Sequence, residues 1–245
     1  ERNGSVSNEF IVDVKSGEKK PYVKEAKVES PVATPKNAVN ATFSPDKKYV
    51  AFTRKNNLFI GLTNDGSEQQ LTFDGNDSIM NGYASWVYYE EILGRASRYK
   101  AFWWSNDSKY IAFMHFDDSE VPVFPIYVAN GQQGYLEKQR YPKAGNKNPK
   151  VKIGIVQVET GKITWANFNE NEDQYFGMPY FSSDNQLFVQ WMNRGQDNLV
   201  IYNVNLQDGS KQEVYNEKQS TWIDLDDNDR ITFLSNKKQF ILKSD

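Results

Sequence analysis

Glu90 and Glu91 stand side by side in the sequence and could together bind a small cation. Neighbouring positions on a helix point about 100° apart, so the two carboxylates would flank a ligand from different sides. A primary ammonium group has three donors and needs acceptors in different directions, which a divergent pair supplies. Alternatively, both carboxylates lie on the solvated face of a short surface helix, and the spacing alone favours this second interpretation.

The residues around the pair predict one short helix. Trp86, Tyr89 and Leu93 fall at i, i+3 and i+7, so they predict a single apolar face with the glutamates pointing away from it. Ser85 is the expected N-cap and Gly94 the expected stop. This helix would interrupt a chain that otherwise reads as short strands.

Other kinds of chemistry lack their residues or spacing. The sequence has no cysteine and no Gly-x-Ser-x-Gly turn, and its one histidine, His115, falls in an alternating strand and is predicted to be structural. The Asp-rich stretch 224–229 lacks the glycine and glutamate of a calcium loop, and no residues have zinc spacing. We therefore expect no metal, no cofactor and no peptide hydrolysis by this segment alone.

The composition of the chain is that of a globular protein, and its charge argues against two classes of binding partner. The chain has 245 residues, of which 38% are hydrophobic and 14% aromatic, enough large rings for a packed core. With 29 basic and 32 acidic residues and a net charge of −3, it offers no basic stripe for nucleic acid or anionic lipid. We expect neither partner.

Two elements repeat along the sequence and predict β-propeller blades. One is strand, Ser-x-Asp turn, strand, and the other is an alternating strand that runs into a glycine turn. The first recurs at 43–52, 104–113 and 181–189, with a weaker copy at 234–242. The second ends at Gly17, Gly66, Gly161 and Gly209, whose intervals of 49, 95 and 48 residues indicate that one unit is enlarged or doubled. An antiparallel sandwich is the alternative, but two alternating turn types favour four-stranded blades.

The predicted fold is all-β, and the helix carrying Glu90 and Glu91 lies in the unit of anomalous length. The chain opens inside one repeat and stops inside another, so we expect 1–245 to be a partial propeller of about three complete blades with partial blades at both ends.

The motif WVYYEE at 86–91 resembles the Trp-Val-Tyr-x-Glu-Glu signature of dipeptidyl peptidase IV and its relatives in the prolyl oligopeptidase family. The likeness continues through FWWS at 102–105, FDDSEVP at 116–122 and YPKAGNKNP at 141–149, and it extends over about 41–158. In that family an eight-bladed N-terminal propeller covers an α/β-hydrolase domain. The enzyme cuts substrate two residues from its free N-terminus, usually after Pro or Ala.

The resemblance implies roles for three residues. Glu90 and Glu91 match the glutamates that grip the substrate's α-ammonium, and Arg2, by its spacing before the first strand, matches an arginine that points at the substrate's carbonyl groups. The acidic stretch 223–227 departs from the aromatic and basic residues that mammalian members carry there, which alters the expected preference for the second substrate residue.

The resemblance also implies the setting. The full-length parent would be a serine-type dipeptidyl peptidase, secreted or periplasmic, with a covalently linked α/β-hydrolase domain that supplies the Ser-Asp-His triad missing here. Its partners would be peptides with a free N-terminus and a second copy of the protein. Two alternatives remain: a non-catalytic propeller that binds peptides or proteins, and a tripeptidyl or other aminopeptidase of the same family.

Overall fold

The computed structural model describes residues 10–12, 15–21, 34–225, 231–234 and 239–243. The chain divides into two compact units, Glu1–Ala33 and Thr34–Asp245. In the first unit, strands β1 and β2 form an antiparallel pair. The second unit contains all other elements. Within the described residues, no helix is both long and apolar enough to cross a bilayer.

The described elements are twenty strands and one α-helix. The strands are β1 Phe10–Val12, β2 Lys19–Pro21, β3 Val39–Phe43, β4 Tyr49–Arg54, β5 Asn57–Leu62, β6 Glu68–Gln70, β7 Ile79–Asn81, β8 Phe102–Trp104, β9 Tyr110–Asp117, β10 Val123–Val128, β11 Tyr135–Arg140, β12 Lys150–Gln157, β13 Ile163–Trp165, β14 Gln174–Phe176, β15 Tyr180–Phe181, β16 Leu187–Asn193, β17 Asn198–Val204, β18 Lys211–Lys218, β19 Ile231–Phe233 and β20 Phe240–Leu242. The helix is α1, Trp86–Glu91, and a 3₁₀ turn, Arg95–Ser97, follows it.

Three antiparallel sheets confirm the all-β prediction. The first has four strands in the order β3-β4-β5-β6, the second has five in the order β13-β12-β9-β7 with β8 also on β9, and the third has five in the order β14-β16-β17-β18 with β15 also on β16. The four turn glycines predicted from the repeat, from Gly17 to Gly209, all have φ between 70° and 74°. Glycine adopts this left-handed conformation without a steric penalty, which explains its recurrence there.

The Ser-x-Asp turns join neighbouring sheets. In the first sheet the Ser44 hydroxyl donates to Asp46 Oδ1 at 2.7 Å, and in the second Ser105 donates to Asp107 Oδ1 at the same distance. The Asp46 backbone N–H then donates to the Ser108 hydroxyl at 3.0 Å, across 62 positions of sequence. The repeat seen in the sequence is therefore also a repeat of the structure, because equivalent turns of neighbouring sheets are hydrogen-bonded to one another.

The unit of anomalous length is enlarged and not doubled. It forms one five-stranded sheet with two insertions: residues 82–101, which contain α1, between β7 and β8, and the hairpin β10–β11 between β9 and β12. β7 and β8 pair with successive halves of β9, with Asn81 opposite His115 and Phe102 opposite Phe113. The insertion carrying α1 thus separates two short strands that together occupy one position beside β9.

The buried core lies between the sheets. One cluster joins α1 to the second and third sheets, another joins the first sheet to the second, and a third joins β16 and β17 to β19 and β20. Among the described residues, the six bulkiest of the fully buried side chains are all aromatic, including Phe52, Phe113 and Tyr88. The aromatic content therefore supplies the core, as the composition predicted.

Candidate functional site

The insertion that carries α1 is fastened to the sheet at its base. The Gly82 N–H donates to the Met114 carbonyl, and the Met114 N–H donates to the Ala101 carbonyl, both at 2.9 Å. The Ala101 N–H donates back to the Gly82 carbonyl at 3.0 Å. Both ends of the insertion therefore meet at one residue of β9, so α1 projects from a fixed point of the blade.

Tyr88 is the buried anchor of α1, and the predicted apolar face of Trp86, Tyr89 and Leu93 does not include it. Tyr88 is 1% exposed, whereas Trp86 and Tyr89 are only partly buried and Leu93 is buried beyond the helix. The Tyr88 ring packs edge-on against Phe116 at 4.9 Å. A helix of six residues packed between two sheets is oriented by these contacts and not by one stripe.

Ser85 precedes α1 as predicted but does not cap it with its side chain. Its carbonyl accepts a hydrogen bond from the Tyr89 N–H at 3.0 Å, while its hydroxyl donates to Asp118 Oδ2 at 2.9 Å. The helix ends at Glu91, and the predicted stop, Gly94, lies three residues later with φ 71°. The helix is therefore shorter than predicted.

Three tyrosines stack beside the C-terminal end of α1. The ring of Tyr99 lies 3.8 Å from that of Tyr89 and 5.0 Å from that of Tyr83, with nearly parallel planes. Burial raises the pKa of Tyr99 to about 12, and the neighbouring phenols and Glu90 act in the same direction. Tyr99 therefore stays neutral, and its contact with Tyr89 holds the residue before Glu90 in place.

Glu90 is a well-enclosed carboxylate with an exposed partner. Its side chain is 13% exposed, and its Oε2 accepts a hydrogen bond from Arg95 Nε at 2.6 Å. The Arg95 side chain is 76% exposed, and its pKa is raised by the hydrogen bond to Glu90. Arg95 therefore reaches the enclosed Glu90 carboxylate from the solvent side.

Glu91 is exposed and faces a different direction. It lines a cavity of about 300 Å³ between α1 and the third sheet. The other lining residues are Val87, Ile92, Tyr175, Met192, Gln196, Asp224 and Leu225. The two glutamates therefore diverge as the helical geometry predicted, one held inward beside an arginine and one open to a cavity.

Two further residues were singled out from the sequence, Arg2 and His115. Arg2 lies outside the described residues, so its predicted role stays a prediction. His115 lies in β9 at 7% exposure, with its Nδ1 2.9 Å from Asn81 Oδ1, and burial lowers its pKa. Among the described residues, no three acidic or histidine side chains are grouped closely enough to hold a metal ion.

Asp118 is the residue of this region that sequence reasoning missed. It is 2% exposed and lies 33 positions from its partner Ser85. Asp118 falls inside the FDDSEVP motif, but the motif gives no signal that its carboxylate reaches the residue before α1. The pairing of β7 with β9 places Asp118 beside Ser78, and only the path of the chain after β7 brings Ser85 to it.

Comparisons with known proteins all lead to one family. A family model described as "Dipeptidyl peptidase IV (DPP IV) N-terminal region" matches residues 2–245. The chain is 32% identical over 218 residues to "Probable dipeptidyl-aminopeptidase B" of Talaromyces stipitatus, covering 82% of this chain and 23% of that protein. It is 30% identical over 200 residues to "Prolyl endopeptidase FAP" of Mus musculus, covering 78% of this chain and 25% of that protein.

A solved structure shares the fold. The crystal structure of Porphyromonas gingivalis dipeptidyl peptidase 4 matches with a TM-score of 0.73 at 27% identity, over 92% of this chain and 31% of the other. The chain thus spans about a quarter of the length of the two curated relatives described above.

Proposed function

This chain belongs to the family of the dipeptidyl peptidase IV N-terminal region, and from that premise we propose that it is the substrate-selecting propeller portion of a serine exopeptidase. In this proposal Glu90 and Glu91 bind the α-ammonium of a peptide substrate. The observation that carries it is the enclosed Glu90 carboxylate, whose cationic partner Arg95 is itself exposed.

The geometry of the pair suits an ammonium group. Glu90 presents a carboxylate that is already desolvated and already engaged with a cation, and Glu91 supplies a second acceptor at a different angle. A charge-assisted hydrogen bond to each is stronger than one between neutral groups. An incoming ammonium would displace the exposed arginine side chain and leave no carboxylate unpaired.

This arrangement would act as a ruler for the substrate. A peptide with a blocked N-terminus would displace Arg95 without replacing its charge, and an unpaired, partly buried carboxylate is costly. The enzyme would therefore select free N-termini and fix the cut at a set distance from them.

Catalysis requires groups from elsewhere in the full-length protein. Acyl transfer needs a nucleophile, a base and an oxyanion hole, and this segment has no Gly-x-Ser-x-Gly turn. We assign the Ser-Asp-His triad to a covalently linked α/β-hydrolase domain, which would release Xaa-Pro or Xaa-Ala dipeptides, and this segment alone would be inactive. Family resemblance supports a secreted or periplasmic location.

The hairpin β10–β11 supports the proposal of a homodimer. Large apolar side chains are exposed along both of its strands: Val123, Phe124, Ile126, Tyr127, Tyr135 and Leu136. Its two strands pair only with each other. A hairpin on which exposed apolar side chains are concentrated is typical of a protein interface.

The experiment that tests the proposed function is product analysis with the full-length protein. A tetrapeptide with Pro at the second position is offered with a free and with an acetylated N-terminus, and products are identified by mass spectrometry. We expect dipeptide release from the free form to be much faster than release from the acetylated form. Release of a tripeptide would favour the tripeptidyl alternative, and no cleavage of either form would favour the non-catalytic one.

A further inference from the structure

Asp118 is a buried carboxylate that the proposed mechanism does not use. It is 2% exposed, and its Oδ2 accepts a hydrogen bond from Ser85, which is 1% exposed. Its Oδ1 is also buried and has no hydrogen-bond partner among the described residues. Most buried polar atoms in native proteins are paired, so this one calls for an explanation.

The charged groups around Asp118 do not neutralise it. Arg140 at the end of β11 lowers the pKa of Asp118, but its guanidinium donates to the Val121 carbonyl at 2.9 Å and to the Ser78 hydroxyl at 2.8 Å. Asp117, next to it in β9, is another negative charge. Burial dominates and raises the pKa of Asp118 to about 6. The ionised carboxylate therefore destabilises the fold.

The contact partner of Asp118 shows what the carboxylate does. Ser85 is the residue from which α1 begins, and α1 carries the glutamate pair. The other contacts of α1 hold later residues: the Tyr88 hydroxyl bonds to Phe176, and Tyr89 stacks on Tyr99. The bond from Ser85 to Asp118 fixes the start of the helix against the end of β9.

We propose that Asp118 is a positioning residue for the glutamate pair, acting on α1 through the hydroxyl of Ser85. This inference rests on the proposed function of Glu90 and Glu91. In this proposal Asp118 lowers the stability of the fold but orients the helix that binds the substrate, so the protein loses stability and gains function. An apolar side chain at position 118 would remove the buried charge but would release the start of α1.

The test uses variants of the full-length protein and two readouts, the melting temperature and the ratio of kcat/KM for free and acetylated Xaa-Pro peptides. Asp118→Leu removes the acceptor and the charge, and Asp118→Asn keeps an acceptor oxygen. We expect Asp118→Leu to keep or raise the melting temperature and yet to lower the ratio at least tenfold. Asp118→Asn should stay within about threefold of the wild type, because its amide oxygen can accept the bond from Ser85.

Two further variants complete the design. Ser85→Ala removes the hydroxyl donor with a minimal change in volume, and it should lower the kcat/KM ratio as Asp118→Leu does. The inference can therefore still be tested if the leucine variant does not fold. Ser105→Ala is the matched control, since it breaks a Ser–Asp bond of 2.7 Å at a distant turn, and it should leave the ratio unchanged.

An unchanged ratio in Asp118→Leu and Ser85→Ala would overturn the inference, and a loss of stability alone would show a merely structural role. Failure of the proposed function is distinguishable. In that case Glu90→Gln and Glu91→Gln would also leave the ratio unchanged, whereas failure of this inference alone requires that they lower it.

Discussion

The Tyr88 hydroxyl accepts a hydrogen bond from the backbone N–H of Phe176 at 3.1 Å, joining α1 to a strand 88 positions away. Both residues are buried, so no solvent can replace this bond. Burial also raises the pKa of Tyr88, which keeps its hydroxyl neutral. The glutamate helix is therefore tied to two sheets at once, to β9 through its base and to β14 through Tyr88.

We predict that Tyr88→Phe destabilises the protein by about 1–3 kcal/mol, because the Phe176 N–H is left buried without an acceptor. Denaturant unfolding measured by tryptophan fluorescence gives this difference. Tyr127→Phe is the control, because Tyr127 is 63% exposed and its removed hydroxyl can be replaced by water. Equal stability of the two variants would contradict the prediction.

The tyrosine stack gives a second prediction. Tyr99 contacts two rings and Tyr83 contacts one, and an aromatic pair contributes about 0.5–1.5 kcal/mol beyond its buried area. Tyr99→Leu should therefore cost more stability than Tyr83→Leu, as measured by denaturant unfolding. A larger cost for Tyr83→Leu would argue that the rings do not act as a stack.

The buried carboxyl of Asp118 gives a prediction on pH. Its pKa is raised from 3.8 to about 6 in the fold, so the folded state holds this proton more tightly than the unfolded state. The protonated carboxyl therefore contributes its full stabilisation of the fold below about pH 4, and this contribution is lost as the pH rises through 6. At about 1.4 kcal/mol per pKa unit, the free energy of unfolding falls by about 3 kcal/mol over this range.

The measurement compares Asp118→Asn with the wild type between pH 4 and pH 8. Subtracting the two unfolding free energies removes the titration of the other groups. We expect the variant to gain stability relative to the wild type as the pH rises. A pH-independent difference would show that Asp118 titrates normally.

Local features of the fold were predictable from the sequence, and features that depend on distant partners were not. The Ser-x-Asp and glycine turns use hydrogen bonds and backbone conformations set within a few residues, so the repeat and its strands followed from spacing. The existence of α1 also followed. Its most buried residue, Tyr88, was not predicted, because Tyr88 packs on Phe116 and bonds to Phe176, and no periodicity within six residues reveals these distant partners.

The candidate site divides in the same way. The divergence of Glu90 and Glu91 follows from helical geometry, and it was predicted. The pairing of Glu90 with Arg95 depends on the 3₁₀ turn after the helix, and the bond from Ser85 to Asp118 joins two loop residues that are 33 positions apart. No rule of residue spacing predicts either of these two contacts. The enlarged repeat unit was visible in the glycine intervals, but its division into a helical insertion and a hairpin was not.

The most direct test of the central claim is the kinetics of the double variant Glu90→Gln/Glu91→Gln in the full-length protein. Because the amides keep the shape and lose the charge, we predict that kcat/KM for a free Xaa-Pro peptide falls at least 100-fold while that for the acetylated peptide is unchanged. Glu68→Gln is the matched control, since it breaks the 2.8 Å ion pair with Arg54 in another sheet. Unchanged kinetics in the double variant would contradict the role given to the pair.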